Sequence, residues 1–233
     1  MPLILNIDTA TDDGSAALSD GATIIASKRS GSQREQASFL QPAIQQVMAE
    51  AGISLSHIDA VSVTIGPGSY TGLRVGLSSA KGLCYALGKP LIAVNTLQVM
   101  AFAAIETYVA GNIPATPTPL FCPMIDARRM EVFTALYDIT CRQVLAPHAL
   151  IIDEQMFASH LAEHPIIFCG DGAFKVQGIS DNPNISVSDT RHGIQHLAAL
   201  ALEKFKLQDF EDIAYCEPFY LKAFHSTLNT RRS

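Results

Sequence analysis

Between Val61 and Gly76 the chain passes from β-branched residues, through Gly66-Pro67-Gly68, into a helix of small residues. Val61-Ser62-Val63-Thr64-Ile65 reads as a buried strand. Two glycines around a proline permit a turn that few other residues can make. Ser69 or Thr71 can cap the helix after the turn, and Leu73, Leu77, Ala80, Cys84 and Leu87 recur at helical spacing up to Gly88. Strand, glycine turn and helix in that order place the chain in the α/β class. The free N–H groups and dipole of such a helix start favour an anion, which makes Gly66, Gly68 and Ser69 candidate nucleotide contacts. No Gly-Lys-Ser/Thr comes after it, so the turn is not a P-loop. Most glycine turns of this kind in α/β proteins bind nothing.

The segments on either side fill out the class. Leu3–Ile7, Ser15–Leu18 and Thr23–Ala26 read as three antiparallel strands, with Asp20-Gly21 as a hairpin turn. Leu40, Ile44, Val47, Met48 and Ala51 form a helical pattern that ends at Gly52 and holds Pro42. Leu91–Val94 is a further strand, and Asn95 or Thr96 caps a helix reaching Gly111. Three prolines between Pro114 and Pro119 mark a linker. After it, at a constant offset of 118 and without a gap, Ile125, Asp126, Ala135, Leu136 and Asp138 repeat Ile7, Asp8, Ala17, Leu18 and Asp20. The coincidence falls on one strand–Asp turn–strand unit and reads as an internal duplication. The expected lobes are residues 1–112 and a smaller 113–233, whose end can pack back on the first. Glu154–Leu161 reads as a short helix, Ile166–Phe168 as a strand before Gly170-Asp171-Gly172, Gly193–Leu207 as a long helix, and the last ten residues as a frayed tail.

Hydrophobic residues make up 48% of the 233 and charged residues 16%, which fits a folded chain with large cores. A formal net charge of -6 argues against a protein that grips nucleic acid unaided. Five cysteines without a Cys-x-x-Cys pair suggest reduced, buried thiols. No leader-like pattern and no run of ~18 apolar residues is present, so a cytoplasmic location away from membranes is expected.

Candidate chemistry is sparse. Asp8, with Thr9 and Thr11 beside it, ends the first strand and could touch a nucleotide; the same residues equally satisfy an ordinary turn. His192 and His196 have metal-ligand spacing near a helix start, but no third ligand accompanies them, and a solvated edge explains them as well. No nucleophile elbow surrounds Ser69, and nothing lowers a cysteine pKa. No catalytic or metal-ligating set is expected. Gly72, Gly76 and Ala80 recur every four residues and could admit a partner helix, with Phe39, Ile44 and Val47 on the preceding helix. One such stripe per helix must face the chain's own sheet. Ala43 with Phe39, and Leu83 with Leu87, lie off that stripe and leave apolar surface for a partner.

The string Gly-Pro-Gly-Ser-Tyr-Thr-Gly-Leu-Arg (Gly66–Arg74) resembles the hallmark of the bacterial TsaB (YeaZ) family. Ile7–Thr11, Gly82-Leu83, Val94–Leu97, Ile125–Arg128 and Glu217-Pro218 with Tyr220-Leu221 extend the likeness along the chain. The resemblance implies the two-lobed actin–Hsp70–sugar kinase architecture, with duplicated βββαβα lobes and mixed sheets. In kinases of that architecture an aspartate placed like Asp8 holds a hydrated metal ion. It also implies a non-catalytic subunit that works with TsaD and the TsaE ATPase in threonylcarbamoyl transfer to adenosine 37 of tRNAs reading A-starting codons. Contact with tRNA would come only through the complex. The docking face would be the first-lobe helices: Gln36, Phe39, Leu40, Ala43, Val47, Leu73, Gly76, Leu77, Ala80, Leu83, Cys84 and Leu87. The same face would make a homodimer in the partner's absence, and ATP or ADP could sit at the joint. Gln36 stands where family members often carry histidine. The rival expectations are a stand-alone ATP-dependent kinase or acyltransferase and a metallopeptidase.

Overall fold

Two five-stranded mixed sheets organise the computed structural model, which describes residues 1–11, 13–31, 36–111 and 116–222. In the first, β1 (Leu3–Asp8), β2 (Ser15–Asp20) and β3 (Thr23–Arg29) are antiparallel, and β4 (Ala60–Gly66) and β5 (Leu91–Asn95) extend β1 in parallel, in the order β3-β2-β1-β4-β5. In the second, β6 (Leu120–Asp126), β7 (Glu131–Tyr137), β8 (Gln143–Ile151), β9 (Ile166–Cys169) and β10 (Ile185–Ser188) repeat the scheme as β10-β9-β6-β7-β8. The shared order is the duplicated mixed sheet of the actin–Hsp70–sugar kinase fold.

Register corrects the gapless repeat. Asp8 pairs with Ser15, whereas Asp126 pairs with Val132, so the second hairpin turn is one residue shorter. Asp8 and Asp126 therefore correspond, while Ala17, Leu18 and Asp20 are displaced by one position from Ala135, Leu136 and Asp138. The expected helix from Glu154 shrinks to Ala158–Leu161, because Phe157 takes a left-handed conformation (φ 56°). The tail from 223 lies outside the described residues, as do Ala115 and Pro114 of the linker.

Among the described residues, five helices cover the sheets: α1 (Gln36–Ala51), α2 (Tyr70–Leu87), α3 (Thr96–Ala110), α4 (Ala158–Leu161) and α5 (Ile194–Lys206). Pro42 stands on the exposed side of α1, in its second turn. Ser69 caps α2, its Oγ accepting the Gly72 N–H at 3.2 Å, and Gly88 closes it at φ 63°. α1 and α2 pack on one face of the first sheet, where Leu40, Ile44, Val47, Leu77, Ala80 and Cys84 meet Leu5, Ile7, Val61 and Val63. The alternate strand residues Ile4, Ala60, Ile92 and Val94 face the other way and are covered by Leu197 and Ala201 of α5. α3, which precedes the linker, instead sets Leu97, Met100, Ala104 and Ile105 against Phe121, Ile125 and Tyr137 of the second sheet. β1–β5 make the first sheet and β6–β10 the second, but α3 and α5 are exchanged between them. Residues Glu211 to Tyr220 then run back along α2, beginning at a bridge from Glu211 to Leu91 and ending where the Phe219 N–H donates to the Ile65 carbonyl at 2.7 Å.

Candidate functional site

The α5-facing side of the first sheet turns polar towards the carboxyl ends of its strands. Ile4 lies beside Ala60, Asn6 beside Ser62, and Asp8 ends the series with Thr64. Ser62 Oγ donates to Asn6 Oδ1 at 2.6 Å, and Asn6 Nδ2 donates to Ser19 Oγ at 3.0 Å. Asp8 Oδ1 accepts the Thr64 hydroxyl at 2.7 Å and the Ala10 N–H at 3.1 Å, while His192 Nε2 stands 3.2 Å from Asp8 Oδ2. Burial opposes ionisation of Asp8, yet the bond and charge of His192, with the Thr64 and Ala10 bonds, outweigh it and hold its pKa below the usual 3.8. Burial likewise disfavours a charged His192, but Asp8 first and Asp171 next lift its pKa above 6.5. While His192 is protonated the two groups form an ion pair at the floor of a cleft.

That cleft has a volume of about 580 Å³ and lies between the sheets, with Asp8, Thr11, Arg29, Phe174, Asp171 and Arg191 among its walls. Thr11 lines it; Thr9 does not. The Thr9 hydroxyl instead donates to the Gly72 carbonyl at 2.7 Å beneath α2. The glycine turn, too, is packed inward. The Ser69 N–H donates to the Ala10 carbonyl at 2.7 Å, and a Cβ on Gly68 would come within 2.2 Å of that same oxygen. A Cβ on Gly66, where φ is 117°, would approach the Phe219 carbonyl at 2.7 Å. Gly66, Gly68 and Ser69 thus join the first hairpin to α2 and the returning segment. As placed, the turn is a structural joint.

The proposed docking stripe also needs correction. Leu40, Ala43, Val47, Leu73, Gly76, Leu77, Ala80 and Cys84 are buried within this chain, and only Phe39, Leu83 and Leu87 reach partway to the surface. The small residues of α2 have an internal cause: a Cβ on Gly76 would meet Thr9 Oγ1 at 2.2 Å. The outer ridge of α1 and α2 carries other residues, including Gln41, Gln45, Ser78, Gly82 and Tyr85, the last 85% exposed. Gln36 begins α1, but its side chain lies outside the description.

The two histidines diverge. α5 begins at Ile194, so His192 precedes it and turns to Asp8, whereas His196 Nδ1 accepts the Gly193 N–H at 2.8 Å and its Nε2 faces Glu106 at 3.4 Å. Burial holds the His196 pKa low. Among the described residues, no three His, Cys, Asp or Glu side chains converge on a point where a metal ion could bind. Sequence reading found Asp8 but missed its partner. Asn6 and Asp8 alternating in an apolar strand, with Ser62 and Thr64 in the neighbouring one, are the signal that this face is polar.

Similarity to known proteins agrees with the fold. The family model for TsaD, tRNA N6-adenosine threonylcarbamoyltransferase, matches residues 30–227. The chain is 38% identical over 101 residues to the tRNA threonylcarbamoyladenosine biosynthesis protein TsaB of Haemophilus influenzae, covering 43% of this chain and 39% of that one. It is 37% identical over 134 residues to TsaB of Escherichia coli, covering 58% and 54%. The matches thus span about half the length of these relatives or less. The structure of YeaZ from Pseudomonas aeruginosa superposes with a TM-score of 0.72 at 25% identity, over 95% of this chain and all of that one. The chain belongs to the TsaD threonylcarbamoyltransferase family, on its TsaB (YeaZ) branch.

Proposed function

We propose that this chain is a non-catalytic partner subunit in threonylcarbamoyl-adenosine synthesis, which binds and activates TsaD and works with TsaE. The observation that carries the reading is the saturation of Asp8. In a chain of threonylcarbamoyltransferase descent, the carboxylate best placed for nucleotide chemistry is occupied by His192, Thr64 and Ala10. A stand-alone kinase or acyltransferase would need that carboxylate free. ATP or ADP would then bind at the joint with TsaD, and tRNA would be met only through the complex. The docking face is the outer ridge of α1 and α2, which also forms the homodimer when TsaD is absent.

Gly82 supplies the test, since a Cβ there meets nothing within 4 Å and a larger side chain fits the monomer. Gly82→Arg with Tyr85→Glu should leave the melting temperature of the chain within a few degrees of wild type. It should also abolish co-purification with TsaD and lower threonylcarbamoyl-adenosine in tRNA hydrolysates from a depleted strain. Undiminished TsaD binding would exclude this ridge, and normal modified-nucleoside levels in the strain lacking the chain would exclude the function.

A further inference from the structure

The segment that runs back along α2 does not stop at Phe219, whose N–H is held by the Ile65 carbonyl. Tyr220 comes next and is clamped to α2. Arg74 Nε donates to the Tyr220 hydroxyl at 3.0 Å, the Arg74 guanidinium lies 4.0 Å from the centre of the Tyr70 ring, and the Tyr70 and Tyr220 rings are 5.3 Å apart. An arginine that stacks on one ring and bonds the other fixes both. The chain then reaches the second sheet, where Lys222 Nζ lies 2.6 Å from Glu131 Oε2 at the start of β7. Each anchor is tied in turn to a wall of the cleft. The glycine turn beside Phe219 leads to Ser69, whose N–H holds the Ala10 carbonyl next to Thr11. On the other side Lys175 Nζ donates to the Glu131 carbonyl at 3.0 Å and to Asp126 Oδ1 at 2.6 Å, and Asp171 Oδ1, in the facing wall, accepts the Asp126 N–H at 3.1 Å.

The lobes are also joined through α3 and α5, which pack on opposite sheets and meet where His196 lies edge-on to Phe102 and 3.4 Å from Glu106. Apolar cores back that joint on either side, and close-packed interiors yield little. The link through Lys222 is of another kind. Its side chain is 51% exposed and that of Glu131 23%, so the pair shifts an equilibrium by about fivefold at most. We propose that Tyr220–Lys222 is a clasp between the lobes, anchored on Arg74 and Glu131, which holds the cleft closed and whose release lets the walls part about α3 and α5. A weak clasp opposite a rigid joint gives a closed state that is favoured and easily left. The clasp is built from this chain alone and acts whether or not α2 carries a partner.

Ser27 and Phe174 are exposed on opposite walls of the cleft. Spin labels carried on ketone-bearing residues in their place leave the native thiols untouched and report the width of the cleft by double electron–electron resonance. The labelled full-length chain is diluted with unlabelled chain, so that only distances within one copy are read. Lys222→Gln should shift the distance distribution to longer values, and Lys222→Arg, which keeps the cation, should leave it as in wild type. Tyr220→Ala frees the other end and should widen the cleft too. The double variant Tyr220→Ala/Lys222→Gln should be no wider than the more open single variant, because either break undoes the same clasp. Both residues are exposed, so the fold survives their replacement. An unchanged distribution in Lys222→Gln or in Tyr220→Ala overturns the proposal. So does a Lys222→Arg chain as open as Lys222→Gln, or a double variant that opens by the sum of the two single shifts.

Discussion

The Asp8–His192 pair gives the stability of the molecule a definite pH dependence. Asp8 has a folded pKa below 3.8, so its contribution is complete above that value and is lost as pH falls through the folded pKa. His192 has a folded pKa above 6.5, so its contribution is complete below 6.5 and is lost as pH rises through the folded pKa. Both are present in full only between 3.8 and 6.5. The melting temperature should therefore fall on the alkaline side of that window, and His192→Gln should flatten that limb. Removing one member of a buried pair costs about 3–5 kcal/mol, whereas glutamine keeps a donor for Asp8 and should cost roughly 1–3 kcal/mol. Urea midpoints at pH 6 and pH 9 check both statements; an equal alkaline loss in wild type and His192→Gln would dissociate the limb from this pair. The thiols obey a simpler rule. Burial pushes Cys84 to about 11 and Cys169 to about 12, so neither should react with a thiol reagent at pH 8 until the chain unfolds.

At the scale of elements, α2 shows what a pattern of residues can and cannot disclose. Its strand, turn, cap and end were legible because Val61–Ile65, Ser69 and Gly88 each signal locally. The purpose of its glycines was not, because the reason for Gly76 is Thr9, which lies 67 positions earlier in the sequence and directly beneath it in the fold. A stripe of small residues admits any close neighbour, and sequence alone does not say whether that neighbour is a partner's helix or the chain's own hairpin. The same blindness hid His192: spacing suggested a pair with His196, while the loop leading into α5 aims it at a carboxylate on β1. β8 and β10 escaped notice for local reasons. β8 carries Pro147 and His148 and lies half exposed, and β10 is four residues long with two serines. Gly76→Ala tests the internal account of the stripe. Overpacking against Thr9 should cost about 1–3 kcal/mol, and Thr9→Ala in the same chain should recover part of it. A Gly76→Ala chain as stable as wild type would return the stripe to the partner.

For the whole molecule, the exchange of α3 and α5 decides whether the lobes are separable. The face of the first sheet that carries Ile4, Asn6, Asp8, Ile92 and Val94 is closed by α5, which lies some hundred residues after β5 in the chain. A fragment of residues 1–111 would expose that face, including the buried amide of Asn6 and a carboxylate deprived of His192, and α3 would lack the Phe121, Ile125 and Tyr137 surface it packs on. The complementary fragment 112–233 would carry α5 with Leu197 and Ala201 uncovered. Losing a helix-covered sheet face removes several fully buried side chains at ~1.5–3 kcal/mol each, and Asp8 loses the partner that faces it from the loop before α5. Those losses exceed half the usual 5–15 kcal/mol of a whole domain. Each fragment alone should therefore show dispersionless amide proton signals and bind a hydrophobic dye. Mixing the two during refolding should restore a dispersed spectrum, because every missing surface is supplied by the other piece. A 1–111 fragment that folds alone, with a cooperative urea transition, would mean that α5 is an accessory to the first sheet and that the sequence division near residue 112 is also the physical one.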